Sequence, residues 1–349
     1  MDKKTIIQLL TIIVLSMVLV LSIVVTTREI NNKTLGKMNP SKMMEEEKQK
    51  TTTASDVNAG ETVKEDTIDL SKYNSNITIK EAGIYTVKGE FTHSLLVNSK
   101  EDVILVLNSV VIKNSVTAAI ANIGEGNLTI KLAKGTTNTL ADGGSSEYDA
   151  CVYSVGSLII EGEGSLNVYG NQEEGEGIAT KTNNITINGG NIHIECADDG
   201  INTGGDGGII TINGGSIYIK ASGDGIDSNK NLVINGGYVY TMGSSVGGDA
   251  GIDTDGAFEI HGGTSIALGS DMLQSPDSTS KQKSICFNLT NRISKGSNIS
   301  LKNKISVEIV SFIAEEDFKT LIVSSEKVVT GTYYIYINGR KTNYSVTVE

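Results

Sequence analysis

Acidic side chains recur next to a Gly-Ile pair in the middle of this 349-residue chain. Aligning the repeats on the glycines of these pairs brings carboxylate and amide side chains into register, several in each repeat. The aligned positions, which we call the acidic ladder, are Glu176, Asp198, Asp199, Asn202, Asp224, Asp227, Asn229, Asp249, Asp253 and Asp255. If consecutive repeats stack as neighbouring strands, equivalent carboxylates lie about 4.8 Å apart along one edge of the molecule.

Carboxylates stacked at this spacing require a counter-charge. Two of them repel by roughly 4 kcal/mol at an effective dielectric near 20, and the only basic neighbours are Lys181 and Lys230. Calcium accepts about six to eight oxygen ligands in a loose geometry, which suits carboxylate, Asn and backbone carbonyl oxygens. We therefore predict calcium as a cofactor; the alternative is a solvated acidic face whose Asp and Asn residues form turns. The predicted metal ligands are Asp198, Asp199, Asn202, Asp224, Asp227, Asp249, Asp253 and Asp255.

A second set of aligned residues is aromatic. His193, Tyr218 and Tyr240 fall at one outward position of consecutive repeats. Stacked rings on adjacent strands are a normal packing device, and they can also form a platform for sugar rings. Tyr218, Tyr240 and the ladder residue Glu176 are therefore candidate ligand-binding residues. The chain contains only three histidines, far apart, so neither a zinc site nor a histidine-based catalytic triad is predicted.

The elements that position these side chains follow from an internal repeat. Its markers are the triplets Asn188-Gly189-Gly190, Asn213-Gly214-Gly215, Asn235-Gly236-Gly237 and His261-Gly262-Gly263, spaced 25, 22 and 26 residues apart. Each triplet lies between two short apolar strands, and a third strand begins at each Gly-Ile pair. Three short strands per repeat predict an all-β parallel β-helix, which the crossover rule makes right-handed.

Specific side-chain ladders follow from this prediction. Two inward aliphatic ladders and one ladder of stacked amides at a bend are expected. The aliphatic ladders are Ile192, Ile217 and Val239, and Ile187, Ile212, Ile234 and Ile260; the amide ladder is Asn188, Asn213 and Asn235.

The repeat stops after about residue 282. Strand-like stretches from Ile299 and from Tyr333, the second leading into the turn Asn338-Gly339, predict a C-terminal β cap or small β-module at residues 283–349. The β-helix itself is assigned to residues 67–282. Three widely spaced cysteines cannot form a disulfide framework, and Cys151, Cys196 and Cys286 are expected to be buried as small apolar residues.

The N-terminus carries a different signal. Lys3 and Lys4 precede an uncharged run of 23 residues, 5–27, long enough to cross a bilayer as one helix. No small-residue cleavage site follows, so residues 1–27 are predicted to be a retained transmembrane anchor, with a cleaved signal peptide as the alternative. The lysines stay inside, which places residues 28–66, a polar flexible linker, and the rest of the chain outside the cell.

The overall charge limits the partners. A net charge of −12 disfavours nucleic acid, since phosphate binding needs clusters of Lys and Arg. It favours cations, or ligands that are reached through cations.

Longer motifs resemble those of a known family. In order along the chain they are Thr117-Ala118-Ala119-Ile120, Lys134-Gly135-Thr136-Thr137-Asn138-Thr139-Leu140, Val152-Tyr153-Ser154, Asp198-Asp199-Gly200-Ile201, Ile212-Asn213-Gly214-Gly215, Gly223-Asp224-Gly225-Ile226-Asp227 and Gly269-Ser270-Asp271-Met272-Leu273-Gln274-Ser275-Pro276. Together they resemble the clostridial β-helix proteins described as carbohydrate-binding domain proteins. The resemblance implies a right-handed β-helix with bound calcium, affinity for acidic plant polysaccharide such as polygalacturonate, and a place at the cell surface.

The same fold resembles the family 9 pectate lyases, in which Asp residues on adjacent coils hold a catalytic calcium. Asp199, Asp224 and Asp227 match that pattern. A lyase also needs a base, yet residues 67–280 contain no arginine, and none of Lys181, Lys220 and Lys230 can be matched by spacing. We therefore predict a calcium-dependent carbohydrate-binding protein, with a pectate lyase-like enzyme and a structural surface adhesin as the alternatives.

Overall fold

The computed structural model describes residues 64–143, 148–171 and 175–349. The predicted anchor, residues 1–27, and the linker as far as residue 63 lie outside these residues. Within the described ranges no helix is long and apolar enough to cross a membrane. A short 3₁₀ turn at Leu70–Lys72 is the only helical element there, and strands dominate the rest.

One face of the solenoid is an eight-stranded parallel sheet, which we call the ladder sheet. Its strands have an outward residue between two inward ones, which is the alternation expected of a half-buried strand. They are β2 (Ile77–Ile79), β4 (Leu95–Val97), β6 (Ile120–Asn122), β9 (Ala150–Ser154), β12 (Glu176–Thr180), β15 (Ile201–Thr203), β18 (Ile226–Ser228) and β21 (Ile252–Thr254).

The other two faces are joined into one 17-stranded sheet because two long strands bend from one face to the other. These are β3 (Gly83–Phe91) and β5 (Val103–Lys113), whose pairing shifts between Val87 and Gly89. The second face also contains β1 (Glu65–Asp69), β7 (Leu128–Leu132), β10 (Leu158–Gly162), β13 (Ile185–Ile187), β16 (Ile210–Ile212), β19 (Leu232–Ile234) and β22 (Phe258–Ile260). The third face also contains β8 (Thr137–Ala141), β11 (Ser165–Gly170), β14 (Asn191–Cys196), β17 (Ser216–Ala221), β20 (Tyr238–Met242) and β23 (Thr264–Gly269).

The core of the solenoid is made of the predicted aliphatic ladders. Ile192 pairs with Ile217, and Ile217 with Val239, in parallel register. The ladder from Ile187 to Ile260 is likewise in register, and all seven side chains are fully buried. Each such side chain stabilises the fold by about 1.5–3 kcal/mol relative to an exposed one. The predicted all-β parallel solenoid of the right-handed type is confirmed.

The predicted amide ladder is also present at the bend between the second and third faces. Asn213 Nδ2 donates to Asn188 Oδ1, and Asn235 Nδ2 donates to Asn213 Oδ1, each at 2.8 Å. Glycine is required beside these amides: Gly215 has a φ of +94°, and a Cβ there would lie 2.8 Å from the Gly190 carbonyl oxygen.

Antiparallel strands follow the last coil. β27 (Phe318–Ser324) pairs with both β23 and β24 (Ser284–Ile293). A separate four-stranded antiparallel sheet contains β25 (Asn298–Asn303), β26 (Glu308–Ile313), β28 (Gly331–Ile337) and β29 (Arg340–Val348). The β28–β29 turn is the predicted Asn338-Gly339, both with positive φ. We call these six strands, β24–β29, the C-terminal module.

Irregular backbone closes the open edge of β22. The Asp277 amide donates to the Phe258 carbonyl and the Gln282 amide to the Ile260 carbonyl, at 2.7 and 3.0 Å. An exposed strand edge would otherwise remain available for pairing with another chain. The cysteines are free; Cys151 is buried, as expected, whereas Cys196 and Cys286 are half-buried.

Candidate functional site

The acidic ladder lies on the ladder sheet in the predicted alignment. Ala179 pairs with Asn202, Asn202 with Asp227, and Asp227 with Asp253, so these four outward residues form one straight row across strands β12, β15, β18 and β21. Because parallel strands are spaced by about 4.8 Å, the outward oxygens of neighbouring coils face one another.

A second row begins each of these strands. Gly177 donates its amide to the Asp199 carbonyl, and Gly200 donates to the Asp224 carbonyl, both at 2.9 Å. These bonds stack Glu176, Asp199 and Asp224 on successive coils. The following glycines are needed because the chains approach closely: a Cβ at Gly225 would lie 2.5 Å from the Gly251 carbonyl oxygen. This close approach explains why each repeat carries Gly before Ile.

Two further columns flank these rows. Gly223 donates to the Asp198 carbonyl at 3.1 Å, which continues the column that Asp249 ends. Asn229 and Asp255 donate their amides to Thr203 and Ser228 on the preceding coils, at 3.4 and 3.0 Å, so they lie at the other end of the strands. The structure thus brings all the predicted ligands to one sheet and its two margins.

Burial and mutual repulsion perturb the carboxyls strongly. Burial, followed by the negative charges of neighbouring ladder residues, raises the pKa of Asp199, Asp224 and Asp227 to about 7 each. Burial and the charge of Asp149 raise the pKa of Glu176 to about 9. Among the described residues, the main causes of these four shifts are burial and neighbouring acids, and no basic side chain is one of them. These four carboxyls are therefore harder to ionise than carboxyls in water.

Several ladder oxygens accept local hydrogen bonds. Asn202 Nδ2 donates to Glu176 Oε1 at 2.5 Å, and the Asp224 amide donates to Asp199 Oδ1 at 2.6 Å. The Ala250 amide donates to Asp224 Oδ1. These hydrogen bonds fix the orientation of the side chains along the row.

Two buried oxygens have no partner. Glu176 Oε2 and Asn202 Oδ1 are inaccessible to solvent and accept no hydrogen bond from the described residues. The Glu176 side chain is buried, with 7% of the residue exposed. A buried polar atom left in this way costs about 1–3 kcal/mol. A missing ligand is one physical reason for such an orphaned acceptor.

Gly223 forms a cradle beside these oxygens. The space that a Cβ would fill at Gly223 is bordered by Oδ1 of both Asp198 and Asp199. The donor set therefore fits a hard cation in kind, since it consists of carboxylate and amide oxygens. The described residues nevertheless contain no group of three or more His, Cys, Asp and Glu side chains placed so that it could hold a metal ion as it stands.

The aromatic candidates lie elsewhere, on the third face. The rings of His193, Tyr218 and Tyr240 stack, with centroids 4.6 and 5.6 Å apart and nearly parallel planes. Tyr240 is 5% exposed, and the Tyr218 hydroxyl donates to Glu315 Oε2 of the C-terminal module at 2.5 Å. Lys220 pairs with Glu316 of the same module at 2.6 Å. This geometry favours the packing interpretation of the aromatic ladder and separates Lys220 from the acidic ladder.

Comparison with known proteins identifies the family. A family model described as "carbohydrate-binding domain-containing protein" matches residues 73–345, most of the chain. The chain belongs to this family. The resemblance seen in the motifs is thereby confirmed, and a polysaccharide is the partner class that membership indicates.

The chain is also similar to two further proteins. A carbohydrate-binding domain-containing protein of Acetivibrio thermocellus is 31% identical over 157 residues, which are 40% of this chain and 54% of the relative. The chain thus spans about half the length of that curated relative. It is also similar to a solved polysaccharide lyase-like protein from C. thermocellum, a gadolinium derivative, at 25% identity and a TM-score of 0.43, over 61% of this chain and 96% of that one.

Sequence reasoning missed two features at the N-terminal end of the acidic ladder. Asp149, in the column of Asp198, contributes to the raised pKa of Glu176. Tyr153, on β9, pairs with Ala179 and therefore continues the outward row. The signal was hidden because this coil has Cys151-Val152 in place of the Gly-Ile pair on which the repeats were aligned.

Proposed function

We propose that this protein is a calcium-dependent binder of acidic polysaccharide, such as polygalacturonate. Membership of a carbohydrate-binding family supports the class of partner. The stacked carboxyls with raised pKa values and no basic partner support the choice of an anionic glycan reached through a cation. The single observation that carries the proposal is the outward row of Asn202, Asp227 and Asp253 beside the half-buried Asp199 and Asp224.

Calcium would supply the charge that both partners lack. The predicted ligands would hold it together with backbone carbonyl oxygens; they are Asp198, Asp199, Asn202, Asp224, Asp227, Asp249, Asp253 and Asp255. A bound cation with free coordination positions can then take the carboxylates of a uronate chain. The protein residues themselves orient and hold the chain; no nucleophile or catalytic base is assigned.

A binding experiment on polygalacturonate tests this function. The full-length chain should bind in calcium and lose binding in excess chelator, and Asp224→Asn with Asp227→Asn should bind weakly even in calcium. The matched control is Glu125→Gln, an exposed acid in a turn on a distant coil, which should bind like the unchanged protein. Binding that persists in chelator would contradict the proposal.

The lyase alternative has a distinct readout. Lys181 and Lys230 follow ladder-sheet strands at the margin that carries Asn229 and Asp255. Their position on this sheet is the observation that favours a catalytic base near the sugar. Lyase activity would release an unsaturated uronate, detected by its ultraviolet absorbance during long incubation with calcium. We expect no such product; its steady formation, abolished by Lys181→Ala or Lys230→Ala, would make the protein an enzyme.

The cell-surface location is part of the same proposal. It is supported by the uncharged run of residues 5–27 behind Lys3 and Lys4. N-terminal sequencing of the native membrane-bound protein tests it, and a mature start near residue 28 would exclude the anchor.

A further inference from the structure

The outward row of the ladder sheet changes character along the solenoid. From β2 to β21 its residues are Thr78, Leu96, Ala121, Tyr153, Ala179, Asn202, Asp227 and Asp253. The polar end of the row, Asn202, Asp227 and Asp253, therefore begins two strands after a single aromatic side chain. At the spacing of parallel strands, Tyr153 and Asn202 are about 10 Å apart along a straight line.

The tyrosine is not alone. Tyr148, from the turn that precedes β9, stacks on Tyr153 with the ring centroids 5.5 Å apart and the planes 30° from parallel. Both side chains are half-buried, so part of each ring remains accessible. The hydroxyl of Tyr153 has no hydrogen-bond partner among the described residues, so it remains available as a donor.

Small residues on either side shape this part of the row. Ala121 and Ala179 point outward yet are 0% and 3% exposed. Larger neighbouring side chains must therefore lie over them, and Tyr153 is the bulky neighbour that the two alanines share.

The second aromatic stack of the molecule provides the contrast. Tyr218 and Tyr240 stack in a similar way, but the C-terminal module covers them and Glu315 accepts the Tyr218 hydroxyl proton in a hydrogen bond. Tyr240 is buried there, and the Tyr218 hydroxyl is occupied. The Tyr148–Tyr153 stack lies instead on the sheet that carries the acidic ladder.

We propose that Tyr148 and Tyr153 form a stacking subsite for one hexuronate ring, next to the acidic ladder, and that the glycan runs across the coils from Tyr153 towards Asp253. This inference rests on the proposed function. Tyrosine suits the task because it offers a large, rigid, amphipathic surface at a low entropic cost. The C–H face of the sugar packs on the ring, while the Tyr153 hydroxyl donates to a sugar oxygen.

Burial, and then the charges of Glu176 and Asp149, raise the pKa of Tyr153. The phenol thus stays protonated beside the acids and remains a hydrogen-bond donor. The subsite supplies affinity through ring contact, whereas the acidic ladder supplies it through a cation. The two contributions are therefore separable by mutation.

The test measures oligogalacturonate affinity of the full-length chain in calcium, together with the rise of the melting temperature that calcium produces. Tyr153→Ala should weaken binding about three- to tenfold, as expected for the loss of an aromatic contact, while the calcium-induced rise is unchanged. Tyr148→Ala should weaken binding in the same direction, and Tyr153→Phe should keep most of the affinity because it keeps the ring. The matched control is Tyr73→Ala, an aromatic residue 51% exposed far from the ladder, which should bind normally.

The outcomes separate the two proposals. If the unchanged protein binds and both Tyr148→Ala and Tyr153→Ala bind equally well, the subsite is wrong while the proposed function stands. If Tyr153→Phe binds as poorly as Tyr153→Ala, ring stacking is wrong. If the unchanged protein does not bind acidic oligosaccharides at all, the proposed function fails and the subsite fails with it.

Discussion

At the scale of single residues, Glu176 and Asn202 show which oxygens of the acidic ladder have hydrogen-bond partners and which do not. The Asn202 amide nitrogen donates to Glu176 Oε1 and Asp199 Oδ2, whereas Asn202 Oδ1 and Glu176 Oε2 accept no hydrogen bond from the described residues. The same region contains three Asp carboxyls whose pKa values are about 7. Without a cation, these groups therefore oppose folding at neutral pH.

A dependence of stability on pH follows from these shifts. An acid whose pKa is higher in the folded state than in the unfolded state stabilises the fold fully below the unfolded value and loses that contribution as the pH rises through the folded value. For Asp199, Asp224 and Asp227 this interval runs from 3.8 to about 7. In chelator, we expect the melting temperature to fall as the pH is raised from about 5 to about 8. A melting temperature that rises over this interval in chelator would contradict the shifts.

Bound calcium should offset this loss of stability near neutral pH. At a hundredfold excess over its dissociation constant, a ligand of the folded state stabilises it by about 2.7 kcal/mol. We expect calcium to raise the melting temperature near neutral pH, with Asp224→Asn and Asp227→Asn each reducing the rise. Magnesium should replace calcium poorly, since it demands a smaller and stricter octahedron. An identical melting curve with calcium and with chelator would favour a merely solvated acidic face.

At the scale of strands, the acidic ladder is held in place by the core. The buried side chains of adjacent coils fix how the coils align. Ile217 is fully buried between Ile192 and Val239 on the adjacent coils. In a solenoid, each repeat is stabilised mainly by the repeats on either side of it. A defect in one coil is therefore felt by the ladder residues of the same coil.

Truncation of this side chain measures the contribution of the core. Ile217→Ala should lower the free energy of unfolding by about 2–5 kcal/mol, whereas Ile217→Val should lower it by only about 0.5–1.5 kcal/mol. Chemical denaturation of the full-length chain provides the measurement. Thr211→Ala, on an outward half-buried position of β16, is the control and should cost clearly less. Equal costs for Ile217→Ala and Thr211→Ala would mean that the coil is not packed as described.

The whole molecule has its negative charge in the β-helix. Residues 283–349 contain nine Lys and Arg against six Asp and Glu, so the net charge of −12 does not come from the C-terminal module. The acidic coils repel a polyanion at long range unless cations intervene. The association with an acidic glycan should therefore depend strongly on ions in solution.

Salt titration tests this property of the molecule. In calcium, binding to polygalacturonate should weaken as sodium chloride is raised, because screening reduces the attraction between charged partners. Neutral cellulose should bind little, since the chain has no tryptophan and the proposed Tyr148–Tyr153 subsite takes only one ring. Strong cellulose binding that is insensitive to salt would contradict the preference for an acidic glycan.

The amino-acid sequence by itself determined the solenoid and the register of its ladders. A repeat of short strands with Gly-Ile and Asn-Gly-Gly markers allows few alternatives, because an outward or inward residue keeps its side in every coil. The tertiary structure alone decided what covers each face. It placed Tyr218 and Lys220 against the C-terminal module through contacts with Glu315 and Glu316, about a hundred residues away in the chain. Tyr240 contacts Phe312 and Ile313 of the same module. It also brought Tyr153 into the row of Asn202 and Asp227, since pairing between strands does not require the sequence marker that Cys151 replaces. Burial, which sets the pKa values of the ladder, depends on such long-range contacts and could not be read from local sequence.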